Sequence, residues 1–227
     1  MKTSDKEIIR NLSSQLKTNG IRHIVFSPGS RNAPFAITFD NDSYFKTHVI
    51  HDERVAGFFA LGISQTLNEP VALCCTSGSA VVNYFPAITE AFYRKIPLLI
   101  LSADRPNALI NKGHGQTIMQ DDIFGKHVLK SHSFYDNSAN SESNNKIIQT
   151  TLNHLFKAPR GPVHLNFHLN EPLYGSVDMA TDEFKVEQIL MNESRALNVD
   201  NELLESLNGK KILVLCGQDA KVKGLNR

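Results

Sequence analysis

Four short polar clusters carry the residues whose types suit ligand binding or catalysis. They are SPGSR at 27–31, HDE at 51–53, TSGS at 76–79 and SADRP at 102–106. Each cluster follows an apolar run that is typical of a buried strand. Because ligands of open parallel sheets bind beyond the carboxyl ends of the strands, we expect all four clusters at one edge of a sheet. Their convergence predicts a small-molecule site.

Two arginines stand in these clusters, Arg31 in the first and Arg105 in the last. Guanidinium groups bind carboxylates and phosphates through paired hydrogen bonds, so two of them at one edge indicate an anionic ligand. The alternative is that each arginine is a surface residue paired with a neighbouring acid such as Asp104. For either arginine taken singly, that alternative is the commoner arrangement.

Glu53 stands at the predicted start of a helix whose small residues are Ala56, Gly57, Ala60 and Gly62. An acid in the first helical turn is stabilised by the helix dipole, which is the simplest interpretation of this residue. The small residues add a second interpretation, because they allow the helix to approach another backbone closely. A carboxylate enclosed in such a contact is desolvated and can serve as a proton partner.

The Glu53 helix and the helix that follows TSGS are also predicted to mediate self-association. Exposed small and apolar faces of this kind are typical of interfaces. The residues expected to form them are Ala56, Phe59, Ala60, Val81, Tyr84 and Phe85. Burial of the same faces inside one chain would instead mean ordinary core packing.

Gly78 and Ser79 lie where a strand gives way to a helix, so their free N–H groups can hold an anion or a ring nitrogen. An ordinary helix start capped by Ser and Gly explains the same residues. Neither G-x-G-x-x-G nor a Walker A loop occurs in the chain. His164 and His168, which share one strand face, lack a Cys or carboxylate at ligand spacing and are interpreted as structural. No metal ligand is assigned.

Apolar strand-like runs alternate with helical stretches along the first 175 residues. The first four runs lack polar alternation, as strands do when helices cover both faces of a sheet. The pattern predicts an α/β fold of three α/β/α layers with a mainly parallel central sheet. Strands are expected at 24–26, 48–50, 71–75, 97–101, 128–134 and 162–167, and helices at 144–157 and at the N-terminus, where Ser4 and Glu7 form a capping box.

The composition excludes several functional classes. The 227 residues are 41% hydrophobic and 21% charged, with a formal net charge of +1. So balanced a charge gives no sign of nucleic-acid binding or of an anionic membrane surface. Cys74, Cys75 and Cys216 make neither a disulfide framework nor a zinc motif, and they fit a reducing, cytoplasmic compartment. The uncharged stretch 71–89 contains TSGS and Pro86, so it is interpreted as two buried elements rather than a membrane span.

The predicted organisation has three parts. Residues 1–175 form the main domain, 176–209 a polar linker with a helix at 201–207, and 210–227 the beginning of a further domain. The stretch GKKILVLCG predicts a β-strand that opens this last part. A strand that opens a domain just before the final residues is the pattern expected of a fragment.

The four clusters, in this order, resemble the thiamine-diphosphate-dependent enzymes, specifically their pyrimidine-binding domain. Within that family the likeness is to the synthases of menaquinone biosynthesis that join 2-oxoglutarate to isochorismate. The matching stretches cover most of residues 1–175 and are SPGSRNAPF, HDERVAGFFALG, CCTSGSAVVNYFPAITEA, LILSADRP and GPVHLNFHLNEPLY. SPGSR, TSG and ADRP together are fairly specific, because a general decarboxylase of this family would share the glutamate but not the arginine loops.

The resemblance implies that Glu53 is the catalytic glutamate of the family. That glutamate hydrogen-bonds N1′ of the aminopyrimidine and favours the imino tautomer, whose N4′ removes the C2 proton of the thiazolium. The resulting ylide attacks 2-oxoglutarate, carbon dioxide leaves, and the succinyl carbanion adds to isochorismate. Pro28, Gly78 and Ser79 match further positions that contact the cofactor.

The resemblance also implies where the acceptor substrate binds. Ser30, Arg31, Arg105 and Gln116 match positions that contact the isochorismate carboxylates and hydroxyl in this family. The residue types alone indicated anion-binding arginines at the same place, so the two lines of reasoning agree.

One departure from the family pattern concerns the metal. The family holds Mg²⁺ and the diphosphate with a G-D-G…N motif, and G-D-G does not occur in this chain. The resemblance therefore implies that a domain outside the chain completes the thiamine diphosphate site and that the chain alone is inactive. It further implies a homodimer or homotetramer with active sites formed across subunits.

Two other functions stay open on the sequence. One is a different thiamine-diphosphate-dependent decarboxylase or carboligase, for which replacement of Arg105 would leave the KM of an anionic acceptor unchanged. The other is a non-catalytic anion-binding α/β module, which would bind its ligand as an isolated chain.

Overall fold

Six strands pair side by side, all in parallel, to form one central sheet. The computed structural model describes residues 2–136, 141–178, 201–211 and 213. Within them the six strands are β2 His23–Phe26, β3 Lys46–Val49, β4 Val71–Cys75, β5 Leu98–Asp104, β6 Lys130–Tyr135 and β7 Val163–His168. Their spatial order is β3-β2-β4-β5-β7-β6.

Helices cover both faces of this sheet. On one face lie α1 Glu7–Thr18, α2 Ala33–Asp40 and α6 Ser141–Phe156, and on the other lie α3 Glu53–Leu67, α4 Ser79–Asn83 and α5 Phe85–Tyr93. Because side chains alternate along a strand, Phe26 and Cys74 join the core on the first face, whereas Val25 and Leu73 join the core on the second. The predicted three-layer α/β/α fold with a parallel sheet is confirmed.

The uncharged stretch 71–89, predicted as two elements rather than a membrane span, is divided among three: β4, α4 and the first part of α5. Strand β4 has the predicted bounds, and all five of its residues are buried. Strand β5 is longer than predicted, because Ser102 and Asp104 continue the pairing with β7 opposite Asn166 and His168. No helix among the described residues is long and apolar enough to cross a membrane.

A two-stranded antiparallel sheet lies outside the predicted pattern. It joins β1 Lys2–Ser4 to β8 Ser176–Asp178. The predicted capping box is therefore wrong: Ser4 belongs to β1, and the residue that caps α1 is Lys6, with no side-chain hydrogen bond to the helix. Residues 176–178, which the sequence assigns to the linker, are held against the N-terminus of the chain by β8.

The small residues of α3 do not form an exposed face. Ala56 and Ala60 are fully buried, and so are Val81 and Tyr84, in the core between the sheet and the helices α3 to α5. The prediction that these four residues mediate self-association is wrong, because they pack inside one chain. The large apolar side chains that α3 leaves exposed include Val55, Phe58 and Phe59.

The chain divides into two compact units, Met1–Met191 and Asn192–Arg227. The second unit contains α7 Asn201–Leu207, which confirms the helix predicted at this place. Most of the predicted strand GKKILVLCG, with Cys216, lies outside the described residues, as does most of 210–227. The predicted boundaries of linker and further domain stay predictions.

Candidate functional site

The four polar clusters lie at the carboxyl ends of their strands, at one edge of the sheet. Residues 27–31 follow β2 and residues 76–79 follow β4. Glu53 is the first residue of α3, which comes after β3, and Arg105 is the first residue beyond β5. Since the strands are all parallel, the sheet brings the clusters to a common edge, as the sequence predicts.

The loop after β2 is packed closely against the loop after β4. The N–H of Ser27 donates to the carbonyl of Cys74 at 2.8 Å, and the N–H of Arg31 donates to Thr76 Oγ1 at 3.2 Å. A Cβ atom on Gly29 would lie 2.5 Å from the Cβ of Thr76, so only glycine fits there. Pro28 and Ser30 lie exposed on the outer side of this loop, where a ligand can reach them.

The side chain of Arg31 is buried and already bonded. Its guanidinium donates to the carbonyl of Leu169 at 3.1 Å and to Glu171 Oε1 at 2.9 Å. Only 6% of the Arg31 side chain is exposed, whereas 70% of the Glu171 side chain is exposed. The acid that pairs with Arg31 follows β7 and is not the sequence neighbour Asp104 that the alternative interpretation named.

Glu53 lies half-buried at the N-terminus of α3. The preceding residue, Asp52, caps the helix by accepting from the N–H of Val55 at 2.9 Å, so Glu53 is not needed as the cap. Its Oε2 atom accepts a long hydrogen bond from the amide of Asn83 at 3.5 Å. This leaves the carboxylate of Glu53 available to accept a hydrogen bond from a ring N–H at the edge of the sheet.

The electrostatics at the end of β4 reflect the carboxylate of Glu53. Burial raises the pKa of the Cys75 thiol and of the Tyr84 hydroxyl, and the negative charge of Glu53 adds a smaller increase to both. The hydroxyl of Tyr84 lies 3.0 Å from Ser27 Oγ and 3.0 Å from the carbonyl of Cys74. Tyr84 thus ties the ends of β2 and β4 together beneath the site.

The turn at Gly78 contacts the long loop that follows β5. Gly78 has a φ of +84°, and a Cβ atom there would lie 3.1 Å from the Cα of Gln116. The N–H of Gly78 donates to Gln120 Oε1 at 2.8 Å, so this group is not left free for an anion. Ser79 is exposed at the start of α4. The structure therefore brings Gly78 and Gln116 together, as a shared site requires.

Arg105 differs from Arg31 in having side-chain donors to spare. Its backbone N–H donates to Asp104 Oδ1 at 2.7 Å, and its carbonyl lies 2.7 Å from His168 Nδ1. Its Nε is buried without a hydrogen-bond partner, and its guanidinium makes no ion pair within the described part of the chain. Of the two predicted arginines, Arg105 is the one able to bind an added anion without breaking an existing bond.

A buried polar cluster between β5 and β7 was missed by sequence reasoning. Ser102 and Asp104 on β5 face His164, Asn166 and His168 on β7. The alternation of His164, Asn166 and His168 with apolar residues was the available signal, since it marks one polar face of a strand. The prediction that His164 and His168 share a face is confirmed.

The loop after β5 adds Gln120 and Asp121 to this polar cluster. Burial raises the pKa of Asp104, while for Asp121 hydrogen bonds from Ser133 and His168 outweigh burial and lower the pKa. One ligand atom from each of Asp104, Asp121 and His168 lies within 4.8 Å of the others, which is the spacing of a possible cation site.

Comparison with known proteins matches residues 7–125 to the family model described as thiamine pyrophosphate enzyme, N-terminal TPP binding domain. The chain is 46% identical over 200 residues to a 2-succinyl-5-enolpyruvyl-6-hydroxy-3-cyclohexene-1-carboxylate synthase of Flavobacterium psychrophilum, covering 88% of this chain and 36% of that protein. It is 38% identical over 229 residues to the synthase of the same name from Desulfotalea psychrophila, covering 97% of this chain and 43% of that protein. The chain thus spans 36% and 43% of the length of these two relatives.

Two solved structures share the fold. The benzoylformate decarboxylase of Polynucleobacter necessarius superposes with a TM-score of 0.64 at 21% identity, over 79% of this chain and 33% of that one. The thiamine diphosphate-dependent 4-hydroxybenzoylformate decarboxylase of Rhodococcus jostii superposes with a TM-score of 0.62 at 17% identity, over 71% of this chain and 30% of that one.

Proposed function

The chain belongs to the thiamine pyrophosphate enzymes, whose N-terminal TPP-binding domain it contains, and we propose that it contributes the part of an active site that holds the aminopyrimidine ring of thiamine diphosphate. Glu53 is the proposed catalytic residue. Its carboxylate accepts a hydrogen bond from N1′ of the ring, and a charge-assisted bond of this kind favours the tautomer able to take up a proton. When bound, the cofactor supplies the carbon nucleophile and the electron sink for decarboxylation.

Other residues at the edge of the sheet fit a flat ring beside Glu53. The turn at Gly78 approaches the backbone of Gln116 so closely that no side chain fits between them. Pro28 and Ser79 are exposed beside the turns that follow β2 and β4. We assign Pro28, Gly78 and Ser79 to the walls of the site, which hold the ring in position next to the carboxylate of Glu53.

The proposed acceptor site is centred on Arg105. The Arg105 side chain is half-buried and makes no ion pair among the described residues, so its guanidinium can bind a substrate carboxylate through strong charge-assisted bonds. Ser30 and Gln116, both exposed at the same edge, supply a hydroxyl and an amide. Arg31 joins the substrate contacts only when Glu171 leaves it, which the exposure of the Glu171 side chain allows.

The reaction we propose for the whole protein is the decarboxylation of 2-oxoglutarate followed by addition of the succinyl carbanion to isochorismate, in menaquinone biosynthesis. The name shared by relatives up to 46% identical supports it. The observation that carries it in this structure is that a half-buried carboxylate, Glu53, and an arginine with no ion pair among the described residues, Arg105, lie at the same edge of the sheet. The acceptor is a dianion in need of such a cation.

The remainder of the active site is proposed to come from outside this chain. G-D-G does not occur in the sequence, so Mg²⁺ and the diphosphate require residues that the chain does not contain. We propose residues 1–175 as the pyrimidine-binding domain, 176–209 as a linker and 210–227 as the start of the next domain. The assembled enzyme is proposed to be a cytoplasmic homodimer or homotetramer with active sites formed across subunits.

The test is a chimaera in which this chain replaces the matching 36% of the Flavobacterium psychrophilum synthase. Supplied with thiamine diphosphate, Mg²⁺, 2-oxoglutarate and isochorismate, it should release carbon dioxide and form the succinyl adduct, followed by mass spectrometry. Benzoylformate in place of 2-oxoglutarate should give no product. Turnover of benzoylformate without an acceptor would point to a different decarboxylase, and tight anion binding by the chain alone, without turnover by the chimaera, would point to a binding module.

A further inference from the structure

We propose that Asn166 is a positioning residue that holds the Gly78 turn and Arg105 in one fixed arrangement. The inference rests on the proposed function, in which Gly78 walls the cofactor ring and Arg105 binds the acceptor. Asn166 lies in the middle of β7, and its hydrogen bonds go to Gln120 and Asp104 rather than to Gly78 or Arg105. It acts on each through one intermediate side chain.

The first branch starts from a backbone donor whose direction is fixed. The N–H of Gly78 donates to Gln120 Oε1 at 2.8 Å, so the other end of that amide must carry the NH₂ group. Gln120 Nε2 then donates to Asn166 Oδ1 at 2.9 Å and to the carbonyl of Ala103 at 3.2 Å. Ser102 also donates to Asn166 Oδ1, at 2.7 Å. These bonds leave the NH₂ group of Asn166 pointing away from Gln120.

The second branch ends on the backbone of Arg105. Its N–H donates to Asp104 Oδ1 at 2.7 Å, and its carbonyl accepts from His168 Nδ1 at 2.7 Å. Asn166 Nδ2 donates to Asp104 Oδ2 at 2.9 Å and lies 3.5 Å from His168 Nε2. The same amide group therefore donates to Asp104 and lies beside His168, the two residues that hold the Arg105 backbone.

Burial fixes the orientation of the Asn166 amide and the direction of its hydrogen bonds. Asn166 and Asp104 are 0% exposed, Gln120 is 1% exposed and His168 is 3% exposed. A donor or acceptor that loses its partner in such a place has no access to water, so a broken bond costs the full desolvation penalty. One amide in one orientation satisfies both branches. Turning it over would set donor against donor at Gln120 and acceptor against acceptor at Asp104.

The same geometry argues against a resident cation at this cluster. Asp104, Asp121 and His168 have ligand spacing. Asn166 Nδ2, however, lies 2.9 Å from Asp104 Oδ2, 3.4 Å from Asp121 Oδ1 and 3.5 Å from His168 Nε2. The NH₂ group lies among these three ligand atoms, in the position that a cation would take, and it supplies the positive pole of the cluster.

The experiment compares Asn166→Ala with Asn11→Ala, which removes an equally buried amide that bonds to Ser141. Amide hydrogen exchange on the chain itself is the first readout. Beyond any global destabilisation, Asn166→Ala should speed exchange at Gly78 and Arg105 by about tenfold, the loss expected for one buried hydrogen bond. Asn11→Ala should leave both amides at the global level. Unchanged exchange at Gly78 and Arg105 in Asn166→Ala overturns the proposal.

Kinetics of the chimaera give the functional readout. Asn166→Ala should raise the KM for isochorismate about tenfold and reduce kcat by a smaller factor. Arg105 keeps its charge in this variant but is no longer held in the orientation that binds the substrate. If the kcat and KM of Asn166→Ala both match those of Asn11→Ala, the amide of Asn166 contributes only to the stability of the fold. Failure of the wild-type chimaera to turn over would sink the proposed function but would leave the exchange result standing by itself.

The isosteric variant Asn166→Asp covers the case in which the alanine variant does not fold. It places a third carboxylate among Asp104, Asp121 and His168 and removes the donor. The thermal stability of this variant should then rise with added Mn²⁺, while that of the wild-type chain should not respond. A wild-type chain stabilised by Mn²⁺ would show a cation site where we place the amide donor, and would overturn the assignment.

Discussion

Replacing Arg31 by Met removes the best-buried cation of the candidate site and distinguishes its structural contribution from ligand binding. Met keeps much of the apolar stem of the side chain but none of its donors. The bonds lost are those to the carbonyl of Leu169 at 3.1 Å and to Glu171 Oε1 at 2.9 Å. The matched variant Glu171→Gln keeps an acceptor for Arg31 and removes only the negative charge.

The two bonds of Arg31 differ in what they contribute to stability. Leu169 is fully buried, and a buried carbonyl left without a donor costs about 1–3 kcal/mol. The ion pair to Glu171 is worth less, about 0–1 kcal/mol, because that side chain is 70% exposed and solvent screens the attraction. The free energy of unfolding should thus fall by about 1–4 kcal/mol in Arg31→Met and by less than about 1 kcal/mol in Glu171→Gln.

The assay is urea unfolding of the chain, followed by circular dichroism. Arg22→Met is the control, because Arg22 is exposed and packs over the ring of Tyr44. Its loss should cost less than about 1 kcal/mol, as is usual for an exposed cation over an aromatic ring. If Arg31→Met costs no more than Arg22→Met, Arg31 is not held as described. It would then be free to bind an anion as Arg105 is.

Three further predictions concern packing, pH and ligand binding. Gly29→Ala brings a Cβ to 2.5 Å from Thr76 and should lower the free energy of unfolding by about 1–3 kcal/mol. In a Thr76→Gly background this loss should vanish. If the losses of the two single variants simply add in the double variant, the contact is refuted. Burial lowers the pKa of His164 to about 3, so the unfolded chain binds one more proton between about pH 6.5 and 3, and stability should fall by up to about 1.4 kcal/mol per pH unit as the pH drops. His164→Gln should lack this component in unfolding curves measured at pH 6, 5 and 4 (about one unit apart), whereas equal slopes would contradict a neutral buried His164. Arg105→Ala in the chimaera should raise the KM for isochorismate by about ten- to a hundredfold, because a charge-assisted bond is lost. The control Arg22→Ala should change this KM little. If Arg105→Ala leaves the KM unchanged, Arg105 does not belong to the acceptor site.

The layers of the fold were predictable because short stretches of neighbouring residues determine where each strand and helix lies. The uncharged run 71–75 is too short for a typical buried helix and so predicts a buried strand, and β4 has the predicted bounds. Glu53 opens α3 as predicted, since a helix start after a strand is set by adjacent residues. Strands β1 and β8 were not predictable, because three residues each carry no periodicity and their pairing joins the two ends of the first unit.

The candidate site was predictable in its position but not in its bonding. Parallel strands place Arg31 and Arg105 at one edge whatever their partners are. The bonding of Arg31 depends on Leu169 and Glu171, which lie 138 and 140 residues further along the chain. The polar face of β7 was visible as alternation, but its partner Gln120 comes from a loop whose course only the fold determines.

The most direct test of the central claim is the rate of deuterium exchange at C2 of thiamine diphosphate bound to the chimaera carrying Glu53→Gln. Gln keeps the volume of the side chain and the start of α3, but it cannot serve as an anionic partner for N1′. The lost charge-assisted bond is worth about 1.5–3 kcal/mol, so C2 exchange should fall by about ten- to a few-hundredfold. Glu90→Gln, which changes an exposed acid on α5, is the control and should exchange at the wild-type rate. Exchange at the wild-type rate in Glu53→Gln would show that Glu53 is only an acid at a helix start, and would contradict its assignment as the catalytic carboxylate.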